Sequence, residues 1–185
     1  IQRNANRLSD LINQALDMQK LDAKSIRPEI CRGNVLLFLK TVYDKFNLLS
    51  VQKEVKFEFS CSEREITGWY DPDKADKIVT NLLSNAFKFT RDRVKLELKA
   101  DQDYLIILVE DNGKGIAEEN IERIFDRFYH VDEAPDKIQE GTGIGLSLVK
   151  EMVDLLNGSI RVTSRVDEFT CFTVSMPLNK EAFSN

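Results

Sequence analysis

The chain has 185 residues, 42% hydrophobic and 31% charged, which suits one globular domain with a short appendage. Its formal net charge of -5 excludes a general attraction to nucleic acid, so an anionic ligand has to be held by local dipoles, a metal or a few basic side chains. Cys31, Cys61 and Cys171 are odd in number, far apart and in no C-x-x-C pair, which excludes a disulfide framework or zinc site and leaves buried reduced thiols as the expectation.

Along the chain, Ala5, Leu8, Ile12, Ala15 and Gln19 recur at spacings of three and four, widened by Leu11 and Leu16, and predict an amphipathic helix ending near Lys24. Pro28 disfavours helix in the residue before it, which sets a linker over 26–31 after an N-terminal segment 1–25. Helical periodicity returns over 32–49, and 56–60 and 65–70 read as short strands. Asp71-Pro72-Asp73 opens a helix that runs through Phe89. Residues 94–99 alternate as a strand, whereas 104–110 form a more continuous apolar run, as expected of a strand buried on both faces. A helix over 143–156 is stopped by Asn157-Gly158, and strands over 159–163 and 169–176 complete a unit spanning 32–179, with 180–185 as the start of a downstream linker. Helices and strands mixed in this way predict an α/β fold, an α+β two-layer sandwich. No apolar run approaches the roughly 20 residues of a membrane span, the longest being 35–39, and no signal peptide precedes the first helix, so a cytoplasmic location is expected. The start at Ile1, in mid-pattern, suggests a piece of a longer chain.

Three stretches carry chemistry. On the helix after Asp73, Asn81 and Asn85 lie four residues apart on one face with Lys88 one turn further on, although asparagine is a poor helix-interior residue. A carboxamide oxygen is a suitable hard ligand for one position on magnesium, and two solvent-facing asparagines would explain the pattern as well. Asp111-Asn112-Gly113-Lys114-Gly115-Ile116 follows a strand. The carboxylate there can accept from the exocyclic amine of adenine, which guanine lacks at that position, and the glycines let backbone approach a flat ring; a plain turn is the alternative. Gly141-Thr142-Gly143-Ile144-Gly145-Leu146 leads into a helix whose first amides and dipole suit an anion. It lacks the Lys-Ser/Thr ending of a P-loop, and its strand and helix order does not fit a Rossmann fingerprint.

These stretches, with Phe125-Asp126-Arg127-Phe128 between the last two, resemble in order the N, first glycine, F and second glycine boxes of sensor histidine kinases. The resemblance covers essentially the whole chain. It implies a Bergerat-type ATP-binding fold, a mixed sheet with helices on one face, taking ATP and Mg²⁺. It implies Asn85 on the metal, Asp111 on the adenine amine, Asn81 and Lys88 near the phosphates, and Phe89 and Ile116 lining the adenine pocket with Gly113 and Gly115 beside them. Residues 129–140 would form a mobile lid, with Phe128, Tyr129, His130 and Lys137 available to the nucleotide, while Gly141, Thr142, Gly143, Ile144, Gly145 and Leu146 cradle the phosphates. Trp69, Phe57 and Phe59 are expected in the core or on strand surfaces, and the acidic Asp132, Glu133, Asp136 and Glu140 in solvent.

The N-terminal helix resembles the latter part of the second helix of a dimerisation and phosphotransfer hairpin, and its stretch from Arg7-Leu8 to Leu16-Asp17 is similar to hybrid two-component sensors. The phosphoacceptor box is absent, and the single histidine, His130, stands where many relatives carry arginine. The implied enzyme is a protein-histidine kinase divided between pieces, this one the donor. Its partners would be the parent's hairpin and a response regulator receiver domain, the parent a homodimer anchored in a membrane and this fragment a monomer. A gyrase-, MutL- or Hsp90-like ATPase is disfavoured because those use a glutamate as base where this chain has Asn81. A non-catalytic ATP-binding or scaffolding module is the remaining alternative.

Overall fold

The computed structural model describes residues 12, 15, 16, 18, 19, 27–131 and 143–183. Most of the predicted N-terminal helix, and with it Lys137, Gly141, Thr142 and the acidic lid residues, lies outside them; the described members of that segment are helical, and Met18 is buried in the core.

The main sheet has five strands in the order β2-β4-β5-β7-β6: β2 (Lys56–Cys61), β4 (Arg93–Ala100), β5 (Tyr104–Asp111), β6 (Ser159–Arg165) and β7 (Phe169–Pro177). β2 runs parallel to β4, and the other pairings are antiparallel. A small sheet pairs β1 (Cys31–Asn34) with β3 (Thr67–Tyr70). Three helices, α1 (Val35–Lys53), α2 (Pro72–Phe89) and α3 (Gly145–Leu155), pack on one face of the main sheet.

That face is built by strict alternation. Leu105, Ile107 and Val109 of β5, Leu96 and Leu98 of β4, and Val174 and Met176 of β7 are all buried against the helices. Their neighbours Ile106 and Leu108 remain half-exposed, so β5 is buried on one face and not on two. Its apolar outer residues are shielded by neighbouring strands, which a continuous run in the sequence does not distinguish from a helix layer.

Each helix starts and stops for a local reason. Asn34 caps α1, its side chain accepting from Leu37 N at 2.9 Å, and Glu54 ends it in a left-handed conformation. The helix therefore begins three residues later than expected from Arg32, because Cys31–Asn34 is claimed by antiparallel pairing with β3. Asp71 caps α2 through Lys74 N at 3.0 Å, and Pro72 occupies the first turn, where its missing N–H costs nothing. α3 begins at Gly145 and not Gly143, whose φ of 66° is not helical. The three thiols are free as expected, but Cys31 is exposed and Cys61 and Cys171 are half-buried, because the pairing that formed β1 put Cys31 on a surface edge. Phe57 is core, and Trp69 is half-buried beneath the Lys180 ammonium, 4.9 Å from its ring centroid.

Candidate functional site

α2 contributes the two carboxamides. Asn81 donates from Nδ2 to Lys77 O at 2.8 Å, one turn back, which turns Oδ1 toward the start of α3; a Cβ on Gly145 would sit 3.0 Å from that oxygen. The half-buried Asn85 carboxamide forms no hydrogen bond among the described residues. At the end of α2, Phe89 is 38% exposed, with Lys88 Nζ 4.3 Å and Lys114 Nζ 5.0 Å from its ring centroid.

Asp111 closes β5 only 5% exposed, accepting from Gly113 N at 2.9 Å. Burial pushes its carboxyl up to about 6, against the pull of the Gly113 N–H and with help from the negative charge of Glu110. The loop after it is held by contact that only glycine allows. A Cβ on Gly113 would strike the Phe89 carbonyl, and one on Gly115, at φ 68°, the carbonyl of Arg165.

Asn112 bolts this loop to the end of α2. Its Oδ1 accepts from Thr90 Oγ1 at 2.9 Å and Arg93 N at 3.0 Å, and its Nδ2 donates to Asp92 Oδ1 at 2.6 Å. Asp111 and Phe89 are thereby fixed relative to each other. Ile116, half-buried against the core, donates its N–H to Ser164 Oγ at 2.8 Å.

The third part is the entry to α3. Gly143 accepts at its carbonyl from Phe128 N at 2.9 Å. A Cβ there would lie 2.7 Å from Phe128 Cα and 3.0 Å from His130 Nε2, so His130 stands directly against the turn that feeds the helix. Among the described residues no side chain caps α3, whose first turn begins at Gly145 with the dipole end that suits an anion. Ile144 is buried and Leu146 packs on the core, so these two anchor the helix start from beneath.

Phe128 is 70% exposed at φ 62°. Arg127 Nη2 donates to Glu151 Oε1 on α3 at 2.6 Å, tying the segment to that helix. Tyr129 turns elsewhere: its hydroxyl donates to Asn120 Oδ1 at 2.6 Å and its ring lies under Arg123.

The structure thus joins Asn81 to Gly145, Phe89 to Gly113 and Asp111, and His130 to Gly143. It also brings in two residues the sequence reading missed. Thr170, 5% exposed, stands directly across from Asp111 on β7, and Ser164 directly across from Thr170 on β6. A signal existed, since both occupy inward positions in alternations that are otherwise apolar (Ile160, Val162; Phe172, Val174). Buried polar residues there ask for partners or a ligand.

Residues 70–180 match the family described as Histidine kinase-, DNA gyrase B-, and HSP90-like ATPase. The chain is 32% identical over 185 residues to Histidine kinase P4 of Formosa agariphila, covering 97% of this chain and 14% of that protein. It is 30% identical over 184 residues to Sensor histidine kinase WalK of Bacillus subtilis, covering 97% of this chain and 30% of that protein. It therefore spans less than a third of the length of either relative. Among solved structures, Acinetobacter baumannii histidine kinase AdeS superposes with a TM-score of 0.78 at 19% identity, covering 95% of this chain and 81% of that one. Full-length ShkA in complex with AMPPNP superposes with a TM-score of 0.82 at 24% identity, covering 95% of this chain and 36% of that one. At these identities the structural likeness is one of fold. With that fold, these motifs in order and well over half its length matched, the chain belongs to the histidine kinase-, DNA gyrase B- and HSP90-like ATPase family, among relatives named sensor histidine kinases.

Proposed function

We propose that this chain binds Mg-ATP and donates the γ-phosphoryl group to a histidine carried by the hairpin of a sensor kinase, which passes it on to a response regulator. The observation that carries the reading is a buried acceptor, Asp111, locked by Asn112 and Gly113 beside an exposed aromatic ring and one helix away from the glycine-led start of α3. A base amine, a flat ring face and an anion are thereby served by three adjoining pieces of backbone.

Magnesium fits the donor set in a limited way. Among the described residues no cluster of three or more His, Cys, Asp or Glu side chains could hold a metal. One neutral carboxamide at Asn85 suits a cation most of whose ligands are water and phosphate oxygens. When bound, the ion would neutralise phosphate charge. Phosphoryl transfer needs positioning and charge neutralisation more than covalent participation. The protein's own work here is to orient the base through Asp111, to hold the phosphates at the start of α3, and to present the γ-phosphorus to an incoming imidazole. The nitrogen–phosphorus bond forms as the bond to the leaving ADP oxygen breaks.

Asn81 supports a kinase over a hydrolase. Its Nδ2 is spent on Lys77 O, and a carboxamide cannot take a proton from water. No helix of the described residues is long and apolar enough to cross a membrane; a cytoplasmic site of action and a homodimeric, membrane-anchored parent belong to this proposal.

Calorimetric titration with a non-hydrolysable ATP analogue, with and without Mg²⁺ and against GTP, tests the binding half. Adenine-selective binding that Asp111→Asn weakens is expected; no binding under any condition would leave a scaffold. For the transfer half, the chain is supplied with its hairpin and labelled ATP. Histidine labelling that Asn85→Ala abolishes is expected, and labelling that survives the substitution would overturn the metal assignment.

A further inference from the structure

We propose that Ser164 is a positioning residue for base selection: it takes the only proton of the Thr170 hydroxyl, so that the base end of the site presents acceptors alone and reads an exocyclic amine. The proposal deepens the nucleotide reading above and rests on it.

Three polar side chains form a row across the inner face of the sheet at one end. Asp111 of β5 is in register with Thr170 of β7, and Thr170 with Ser164 of β6. Directly opposed antiparallel residues point to the same face with Cβ atoms about 5 Å apart, so the row is continuous. On the interior side along these strands the next inward residues are apolar, Val109 and Phe172 among them. A polar row inside an apolar layer costs stability unless its hydrogen bonds are all assigned.

The assignment follows from counting protons. Ile116 N–H can only donate, so Ser164 Oγ accepts from it at 2.8 Å. The Phe169 carbonyl can only accept, so Ser164 donates its one proton there at 2.7 Å. Ser164 has none left for its contact with Thr170 Oγ1 at 3.0 Å, and Thr170 must be the donor. The Thr170 hydroxyl is then left with lone pairs only toward the site. Asp111 beside it accepts from Gly113 N and offers further lone pairs.

Two acceptors in a row match an amino group, which has two N–H bonds to give. A 6-oxo purine presents an acceptor at the same place and meets lone pairs from both residues. A threonine hydroxyl left to rotate could donate to that oxygen instead, and the discrimination would fall. Ser164 thus controls which base is read without having to touch it. Its bond to Ile116 N is a second, separate duty, since it also steadies the loop.

The two duties separate in a ratio. Affinities of ADP and IDP, which differ at the 6-position of the purine, are measured by calorimetry on the purified chain. The wild type is expected to favour ADP. Ser164→Ala is expected to lower the ADP-to-IDP preference about tenfold, the worth of one redirected hydrogen bond. Ser164→Thr, which keeps the hydroxyl, restores it. In a Thr170→Val background, Ser164→Ala is expected to change the preference no further. If Ser164→Ala proves too unstable to bind, Ser164→Cys, close in shape and a poor hydrogen-bonding group, takes its place in the comparison.

Equal weakening of both nucleotides by Ser164→Ala would reduce Ser164 to a loop support and overturn the proposal. A further loss of preference in the Thr170→Val background would overturn it too, since Ser164 would then act by another route. A wild type that binds both equally overturns base selection, whereas one that binds neither overturns the nucleotide reading itself.

Discussion

Asp111 is costly to the fold at the pH where its carboxylate is most useful. Its ordinary carboxyl range lies well below the value of about 6 that burial imposes. A carboxyl raised on folding contributes stability below its unfolded range, and that stability is lost as pH rises through the folded value. Above neutrality the ionised group therefore costs the fold on the order of 3 kcal/mol as an upper bound. Asp111→Asn, which keeps an oxygen for Gly113 N, is expected to melt higher than the wild type at about pH 8 and no differently near pH 4. Thermal melts across that interval check it, and an offset constant with pH would assign the effect to shape and not to charge. His130 offers the complementary test, since its Nε2 stands against Gly143 at the entry to α3. His130→Arg supplies a fixed charge there and is expected to tighten a triphosphate analogue over ADP by roughly threefold to tenfold in calorimetry. An unchanged ratio would put this position out of reach of the γ-phosphate.

At the scale of elements, the turn into α3 is the most constrained piece of backbone in the site. Gly143 combines φ 66° with backbone of Phe128 2.7 Å from any added Cβ, so neither strain nor clash can be relieved by a rotamer. Gly145 meets, among the described residues, only the side chain of Asn81 at 3.0 Å, which can turn away at the cost of its bond to Lys77 O and not of any backbone. Gly143→Ala is therefore expected to cost about 1–3 kcal/mol and to weaken nucleotide binding at least tenfold, with Gly145→Ala milder in both respects. Paired melts and titrations of the two variants decide it; equal effects would mean that α3 as a whole, and not its entry turn, is sensitive. This turn was legible in the sequence because its glycines sit at fixed offsets before a helix pattern, as were the capped start of α2 at Asp71-Pro72 and the alternating strands. β1 was not legible, because Cys-Arg-Gly-Asn has no strand character of its own and is recruited by pairing with Thr67–Tyr70, more than thirty residues away. Thr170 and Ser164 escaped for a related reason. Their alternation could be read locally, but their alignment with Asp111 exists only once β5, β7 and β6 lie side by side.

Across the whole molecule, one buried carboxylate connects the incoming chain to the helix that carries the candidate metal ligand. Asp71 is 1% exposed; its Oδ1 accepts from Lys74 N at 3.0 Å, and its Oδ2 accepts from Glu29 N at 2.7 Å and pairs with Lys74 Nζ at 3.4 Å. Glu29 lies in the segment that leads from the N-terminal part into β1, and Asp71 is the N-cap of α2, which bears Asn81 and Asn85. Removing Asp71 strips Glu29 N and Lys74 N of their acceptor and takes from the Lys74 ammonium one of its two carboxylates, the other being Asp73 Oδ2 at 3.2 Å. Asp71→Ala is therefore expected to destabilise the fold by about 2–4 kcal/mol, through the lost cap and the two backbone donors left without an acceptor, a fall in melting temperature of roughly 10 °C for a chain of this size. Asp71→Asn keeps an oxygen acceptor for the cap and should lose less. Asp71→Ala with Lys74→Met should recover little of the loss, since the Lys74 ammonium keeps Asp73 in the single variant. Amide exchange at Glu29 distinguishes a latch from a plain cap: faster exchange at Glu29 in Asp71→Ala, while the interior of α2 stays protected, is the expected pattern. Equal loosening of α2 and Glu29 would make Asp71 a helix cap alone and leave the entering segment held by β1 and β3.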